Sequence, residues 1–384
     1  MGHTLEGRIV VAFNRDFEEA KGDPENRARE DVVGTARDVA SALAAAGFEV
    51  ETLGVTDDVG AAVDEIASLA PDAVFNLCES FGGEGRFEAV FPLLLDLSQL
   101  AFTGSTAPTL MLAVHKDRTK QILQACGVCT PASLRVDGPS VPSTFEMPGP
   151  MIVKPSREDA SVGISNDSVV ATRAALERQV AYVWERYRQP VLVEQYIDGR
   201  EIYVAKLDGG REEASCILPL FEVDFGGLAA HHPRVVTFEA KWREESAAYH
   251  GTPTRPAELP AAVVARIEAV GRAAFAALDV RDYGRVDVRL ADDGTPYVID
   301  VNPNCDLSSV AGFAKAALEG GRSYEALIQH IARLALARKH ADTIPLAPRS
   351  RRPRDAAVGP TRQPVSRRRG GVRAGSSRGG PGAT

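Results

Sequence analysis

The 384-residue chain lacks most features that assign a protein to a class at a glance. No apolar stretch approaches the roughly 18 residues needed to cross a bilayer, and residues 1–20 have no signal-peptide profile, so a cytoplasmic protein with no membrane partner is expected. Cysteine is scarce. Cys78, Cys126, Cys129, Cys216 and Cys305 are scattered and odd in number, which argues against a disulfide framework. Cys126-Gly127-Val128-Cys129 has redox or zinc spacing, but with no second pair or His cluster nearby it reads as reduced structural thiols. His231-His232 reads as loop, because adjacent side chains seldom converge on one ion. The dinucleotide fingerprint is missing, so Gly82-Gly83-Glu84-Gly85 does not imply NAD. No internal repeat is visible.

Charge is plentiful but uneven. Residues 341–384 carry ten Arg and no Lys against Asp342 and Asp355, a local charge of +8; with a total of −8, residues 1–340 carry about −16. An acidic body argues against a nucleic-acid-binding core. The tail, rich in Arg, Pro, Gly and Ser, is expected to be a disordered, solvated extension.

A hydrophobic content of 44% with 25% charged residues suits a globular protein, and the length suits two or three compact units. The first hundred residues alternate strand-like and helix-like runs: strands at 7–13, 48–53 and 73–77, helices at 30–46, 59–70 and 88–97. This indicates an open parallel sheet, whose ligands collect at strand C-terminal ends. Lys116 opens an amphipathic helix near 116–126. Met151-Ile152-Val153-Lys154 reads as a buried strand delivering a lysine into a cleft. A helix at 172–188, strands at 191–194 and 201–206, and a loop-rich stretch at 222–258 follow. Helices are expected at 261–278, 310–319 and 323–338.

The most informative stretch is Arg285 through Asp306. It reads as a hairpin turning at Asp293-Gly294. With period-two side chains, Arg285 and Asp287 share one face, and Asp300 and Asn302 share one face of the return strand, with Ile299 and Val301 opposed. If the two polar faces coincide, the patch holds two carboxylates, an amide oxygen and a guanidinium. That suits magnesium, which takes one or two carboxylates and completes its shell with phosphate and water. From spacing alone, a wet surface hairpin remains equally open.

The order of motifs resembles the D-alanine–D-alanine ligase family of ATP-grasp enzymes. The likeness is carried by Ile152-Val153-Lys154-Pro155-Ser156-Arg157-Glu158, Ser161-Val162-Gly163, Val193-Glu194-Gln195-Tyr196-Ile197-Asp198-Gly199-Arg200-Glu201, Glu239-Ala240-Lys241-Trp242, Gly284-Arg285-Val286-Asp287 and Asp300-Val301-Asn302-Pro303. It spans residues 7 to 338. The resemblance implies a mixed α/β and α+β fold: an N-terminal open parallel-sheet (pre-ATP-grasp) domain over 1–111, a two-lobed ATP-grasp domain over 112–194 and 195–340, and the tail over 341–384.

It also implies an ATP- and Mg2+-dependent carboxylate–amine ligase, with Mn2+ as a substitute metal, that forms an amide through an acyl phosphate. The substrates implied are amino acids or small peptides, and the assembly a homodimer. Lys116 and Lys154 are expected at phosphate oxygens, and Glu194 with backbone groups of Gln195 and Ile197 at adenine. Glu201 is expected at ribose, Ser161 in the phosphate loop, Lys241 on a lid and Arg285 at the tetrahedral oxyanion. Asp287, Asp300 and Asn302 are expected at the metal.

Several positions depart from the family pattern. Asp300 stands where the family has a glutamate, Ala160 precedes Ser161 in place of a second serine, and Trp242 replaces a tyrosine. Glu79 replaces a histidine and Asp306 a glycine. The glutamate receiving the first substrate's amino group has no fixed counterpart among Arg29, Glu30 and Asp31. ATP residues are kept while substrate residues change, so ATP-dependent ligation is expected while the identity of both substrates, D-alanine included, stays open. A ligase for other amino acids or a small peptide is one alternative, and an ATP-binding regulator without turnover is another.

Overall fold

The computed structural model describes residues 7–15, 27–146, 148–210 and 214–339, with the side chains of 27–30 outside that set. The arginine-rich tail lies outside the described residues.

The chain opens as β1 (Arg8–Asn14), α1 (Arg27–Ala45), β2 (Glu49–Val55), α2 (Val59–Leu69) and β3 (Ala73–Asn76). The three strands form a parallel sheet in the order β2-β1-β3. β1 buries Ile9 and Val11 on one face and Val10 and Ala12 on the other, as a sheet covered on both sides requires. A short 3-10 turn at Gly85–Phe87 leads into α3 (Val90–Leu97). Next come α4 (Ala107–Val114), absent from the expected elements, and α5 (Lys116–Ala125). The helix α4 was hidden because Ala107-Pro108-Thr109-Leu110-Met111-Leu112 is apolar without a clear period, and Pro at its start reads equally as a loop.

The second sheet collects β4 (Ser133–Val136), β5 (Met151–Pro155), β6 (Val169–Val170) and β7 (Val191–Gln195) in the order β4-β7-β5-β6. Helix α6 (Arg173–Tyr187), capped by Thr172 at its N-terminus, packs Leu176, Val180 and Val183 onto Met151, Val153, Val191 and Val193.

The third sheet is antiparallel, in the order β11-β10-β8-β12-β13 with β9 on the edge of β8. Its strands are β8 (Arg200–Leu207), β9 (Cys216–Ile217), β10 (Phe221–Val223), β11 (Thr254–Pro256), β12 (Tyr283–Leu290) and β13 (Pro296–Asn302). The stretch 222–258, expected to be loop-rich, also carries two short helices, α7 (Phe238–Trp242) and α8 (Ala247–His250), capped by Thr237 and Ser246. Helix α9 (Ala261–Ala277) covers one sheet face through Ile267, Ala274 and Phe275. Helices α10 (Gly312–Glu319) and α11 (Tyr324–Lys339) join the other face to α1 and the first sheet through Phe313, Leu327, Ile328 and Ile331.

All five cysteines are free; Cys78 and Cys305 are buried, and Cys126 and Cys129 are exposed. Among the described residues, no helix is long and apolar enough to cross a membrane.

Candidate active site

The floor of the site is the hairpin of β12 and β13. Its register sets Arg285 opposite Asn302 and Asp287 opposite Asp300, so the two polar faces coincide. Between Asp287 and Val288 the pairing slips by one residue, because Val288 faces Val298 and Ile299 is the extra residue of a bulge. This changes one expectation. Val301 is buried in the core as alternation requires, but Ile299 lines the cleft beside Asp300. The turn also differs from a two-residue hairpin. Ala291 N–H donates to Thr295 O and Gly294 N–H to Ala291 O, with Gly294 at φ +79°.

On this floor Arg285 Nε and Nη2 donate to the two oxygens of Asp287 at 2.6 and 2.9 Å, and Asn302 Nδ2 lies 3.4 Å from Asp287 Oδ2. The guanidinium carbon stands 4.3 Å from the Tyr203 ring centroid. Burial disfavours the Arg285 cation, but Asp287 outweighs it, so Arg285 keeps its proton more firmly than an ordinary arginine.

Facing the floor, α5 supplies Lys116. Its Nζ donates to Asp159 Oδ1 at 2.6 Å and Asp300 Oδ2 at 2.7 Å. The helix is fastened by its next residue, the buried Asp117. That carboxylate accepts from Ser156 Oγ at 2.9 Å and Arg135 Nη1 at 3.0 Å. Burial alone would lower Lys116, yet Asp159 and Asp300 reverse it and raise its pKa. Burial would likewise raise Asp300, but Lys116 and Lys154 keep its pKa below the ordinary carboxylate value.

Lys154, at the end of β5, has its ammonium 2.9 Å from Glu194 Oε2 on β7. The other oxygen of Glu194 is 2.5 Å from Lys120 Nζ. Burial lowers Lys154 to about 8, with Lys116 adding to the effect and Asp300 opposing it. The N–H of Gln195 is engaged by Ala132 O and that of Tyr196 by Pro150 O, so both donors are taken up within the fold. Glu201 is buried against Arg289 at 2.9 Å, and burial raises its pKa. Arg289 Nη1 also donates to Gly199 O at 3.0 Å, and its Nη2 to Arg234 O.

The roof is the loop after β5. Ala160 and Ser161 both sit at positive φ, +55° and +63°, a left-handed pair costing about 1–2 kcal/mol per residue for L-amino acids. Such residues persist where the surroundings over-determine them, and here Trp242 Nε1 of α7 donates to Ala160 O at 2.8 Å. Lys241 on the same helix stacks 5.0 Å from the Trp242 ring centroid. Burial and then Arg285 lower the Lys241 pKa, while Asp306 and Glu79 pull the other way.

All twelve residues singled out from the sequence line one cleft of about 800 Å³. Asp31 and Asp306 line it as well, and Asp31 is the described member of the Arg29–Asp31 ambiguity. Sequence reading missed Asp159, Arg289 and Lys120. The first lies on an irregular loop without periodicity. The other two had a signal: Arg289 continues the alternation from Arg285 and Asp287, and Lys120 is four residues from Lys116 on one helix face. His231 and His232 meet edge to face with ring centroids 4.3 Å apart, outside the cleft lining. Among the described residues, no group of three His, Cys, Asp or Glu side chains gathers as a metal cluster.

The model of the family described as D-ala D-ala ligase C-terminus matches residues 142–333. A D-alanine–D-alanine ligase of Hydrogenovibrio crunogenus is 36% identical over 241 residues, 62% of this chain and 69% of that protein. The one of Saccharophagus degradans is 31% identical over 76% of this chain and 86% of its own length. An uncharacterised protein of Sinorhizobium fredii is 36% identical over 67% of this chain and 73% of its own. In fold, the chain resembles the solved structure of D-alanine–D-alanine ligase from Bacillus anthracis complexed with ATP. The TM-score is 0.68 at 20% identity, covering 87% of this chain and 99% of that one.

Proposed function

Since this chain belongs to the D-alanine–D-alanine ligase family, we propose specific roles for its cleft residues in an ATP- and magnesium-dependent ligation of a carboxylate to an amine. The protein is an ATP-dependent carbon–nitrogen ligase of the ATP-grasp type. A carboxylate activated as an acyl phosphate is attacked by an amine, and the protein's task is to hold like-charged groups together and stabilise charge in transit.

The observation that carries the reading is the register of the floor. Asp287 lies opposite Asp300 and Arg285 opposite Asn302, under two buried lysines. Two carboxylates and an amide are hard oxygen donors in the number magnesium accepts from protein, so the residues present fit the ion. Bound there, magnesium would neutralise phosphate oxygens as charge moves between them. Lys116 and Lys154 hold phosphate oxygens, exchanging their present carboxylate partners for the nucleotide's anions. Glu194 accepts from the amino group of the base, Gln195 and Ile197 complete the hinge, and Glu201 accepts from ribose. The 160–161 turn covers the phosphates, with Ser161 adding a hydroxyl. Lys241 approaches the terminal phosphate, and Arg285 stabilises the tetrahedral oxyanion.

The amine end of the cleft supports a second substrate carrying positive charge. Glu79 lies within electrostatic reach of the cleft residues Asp306 and Lys241; desolvation and then Asp306 raise it to about 8, Lys241 opposes them, and Asp159 and Asp31 add negative potential. The substrates we propose are therefore a carboxylate donor and a basic amino acid or small basic peptide, joined in the cytoplasm. A phosphate-release screen of paired amino acids and dipeptides, with mass spectrometry of products, tests this. Pairs containing a cationic second member should release phosphate fastest. If ATP binds tightly and no pair releases phosphate, the protein is a nucleotide-binding regulator and the ligase reading of this chain fails.

A further inference from the structure

Behind the hinge lies a buried lysine with no part in the roles above. Lys120 is 3% exposed and does not line the cleft, whereas Glu194, 1% exposed, does. Lys120 Nζ is 2.5 Å from Glu194 Oε1, and Lys154 Nζ is 2.9 Å from Oε2. One carboxyl group is thus gripped from two elements, α5 behind it and β5 beside it. Structural need alone is a weak reason for the rear ammonium, since buried ion pairs can often be replaced by apolar side chains without loss of stability.

The grip decides what Glu194 can offer a ligand. Burial, reinforced by Lys154 and Lys116, pushes Lys120 well below the ordinary lysine range, so its proton is readily shared with the carboxylate. Among the described residues, neither Lys120 Nζ nor Glu194 Oε1 has a hydrogen-bond partner elsewhere, so a proton on either atom is held between the two, behind the carboxyl group and away from the cleft. Toward the cleft Glu194 then presents acceptor lone pairs alone. Without the rear amine, a protonated Glu194 would be free to turn its O–H outward and donate.

We infer that Lys120 is a positioning residue: it keeps Glu194 acceptor-only toward the cleft and so selects a 6-amino purine over a 6-oxo purine. The inference rests on the reading that Glu194 meets the base of the nucleotide. A 6-amino group donates to the carboxylate. A 6-oxo group meets it acceptor to acceptor, and a donor made available on Glu194 relieves that conflict.

The test is calorimetric binding of ATP and inosine triphosphate, each with magnesium, to the full chain. It needs no knowledge of the ligase substrates. The unmodified protein should prefer ATP by at least about tenfold, the scale of one hydrogen bond to a charged group. Lys120→Met should narrow the ATP-to-ITP ratio by about tenfold, and Lys120→Arg, which restores a rear donor, should keep it wide. Lys120→Ala is read the same way if the Met variant does not fold. Glu194→Gln, which places an amide donor at the base, should also narrow the ratio. Two results would overturn the inference: Lys120 variants that weaken both nucleotides equally while Glu194→Gln narrows the ratio, or an unmodified protein with no ATP preference. Glu194→Gln leaving the ratio unchanged would instead remove Glu194 from the base and take the inference with it.

Discussion

Arg285 and Asp287 leave the same face of β12 and form a two-pronged ion pair, so the guanidinium is held rigidly over the cleft while one carboxylate is already half neutralised. Arg285→Ala should lower kcat on the order of 10²–10³-fold, by analogy with loss of an oxyanion donor, with little change in ATP affinity. Steady-state kinetics with whichever substrate pair the screen identifies would measure it, and an unchanged kcat removes Arg285 from the chemistry. Lys154 gives a prediction in pH. Burial holds it near 8, so below that value the ammonium is charged and ready for phosphate, and above it ATP must bring a proton in. ATP affinity should fall as pH rises past 8, by up to about tenfold per pH unit. Lys154→Arg, whose side chain stays charged, should flatten that dependence. A flat profile for the unmodified protein from pH 7 to 9.5 would clear Lys154 of contact with phosphate.

Among the elements, regular spacing was legible and irregularity was not. The α1, α2, α6 and α9 helices announce themselves by apolar periodicity, and Arg285, Asp287, Asp300 and Asn302 by alternation. The bulge at Ile299 carried no signal, because its neighbours read equally well as continuous alternation. The left-handed pair Ala160-Ser161 was equally silent, since neither residue is one that favours positive φ. Lys120 and Asp159 matter through partners far along the chain, Glu194 and Lys116, and a pairing of that kind is absent from local pattern. The Asp198-Gly199 turn joins the hinge strand β7 to β8 at a place with no spare room. A Cβ on Gly199 would fall 2.1 Å from the backbone oxygen of Leu290 on β12. Gly199→Ala should therefore destabilise by about 1–3 kcal/mol, through separation of β8 from β12. A melt by circular dichroism that matches the unmodified protein within a degree would contradict this close approach.

For the whole molecule, we propose three lobes at 1–111, 112–194 and 195–340, each built on one of the three sheets, and a homodimer. Six of the ten large apolar side chains left exposed among the described residues lie between Phe87 and Leu112, namely Phe87, Val90, Leu93, Leu97, Met111 and Leu112. Helices α3 and α4, which carry five of them, pack on each other, so these positions supply a candidate self-association face. Leu93→Glu with Met111→Glu should halve the mass seen by light scattering and leave ATP affinity unchanged; an unmodified protein that is already monomeric would dispose of the dimer.

The Trp242–Ala160 hydrogen bond has a practical consequence. The chain contains two tryptophans, and the other, Trp184, is a partly buried residue of α6 packed against the core of the second sheet. Trp184→Phe would leave a single indole emitter at the seam between the phosphate loop and the α7 helix. Its fluorescence in a stopped-flow cell would then time the arrival of nucleotide without any added dye.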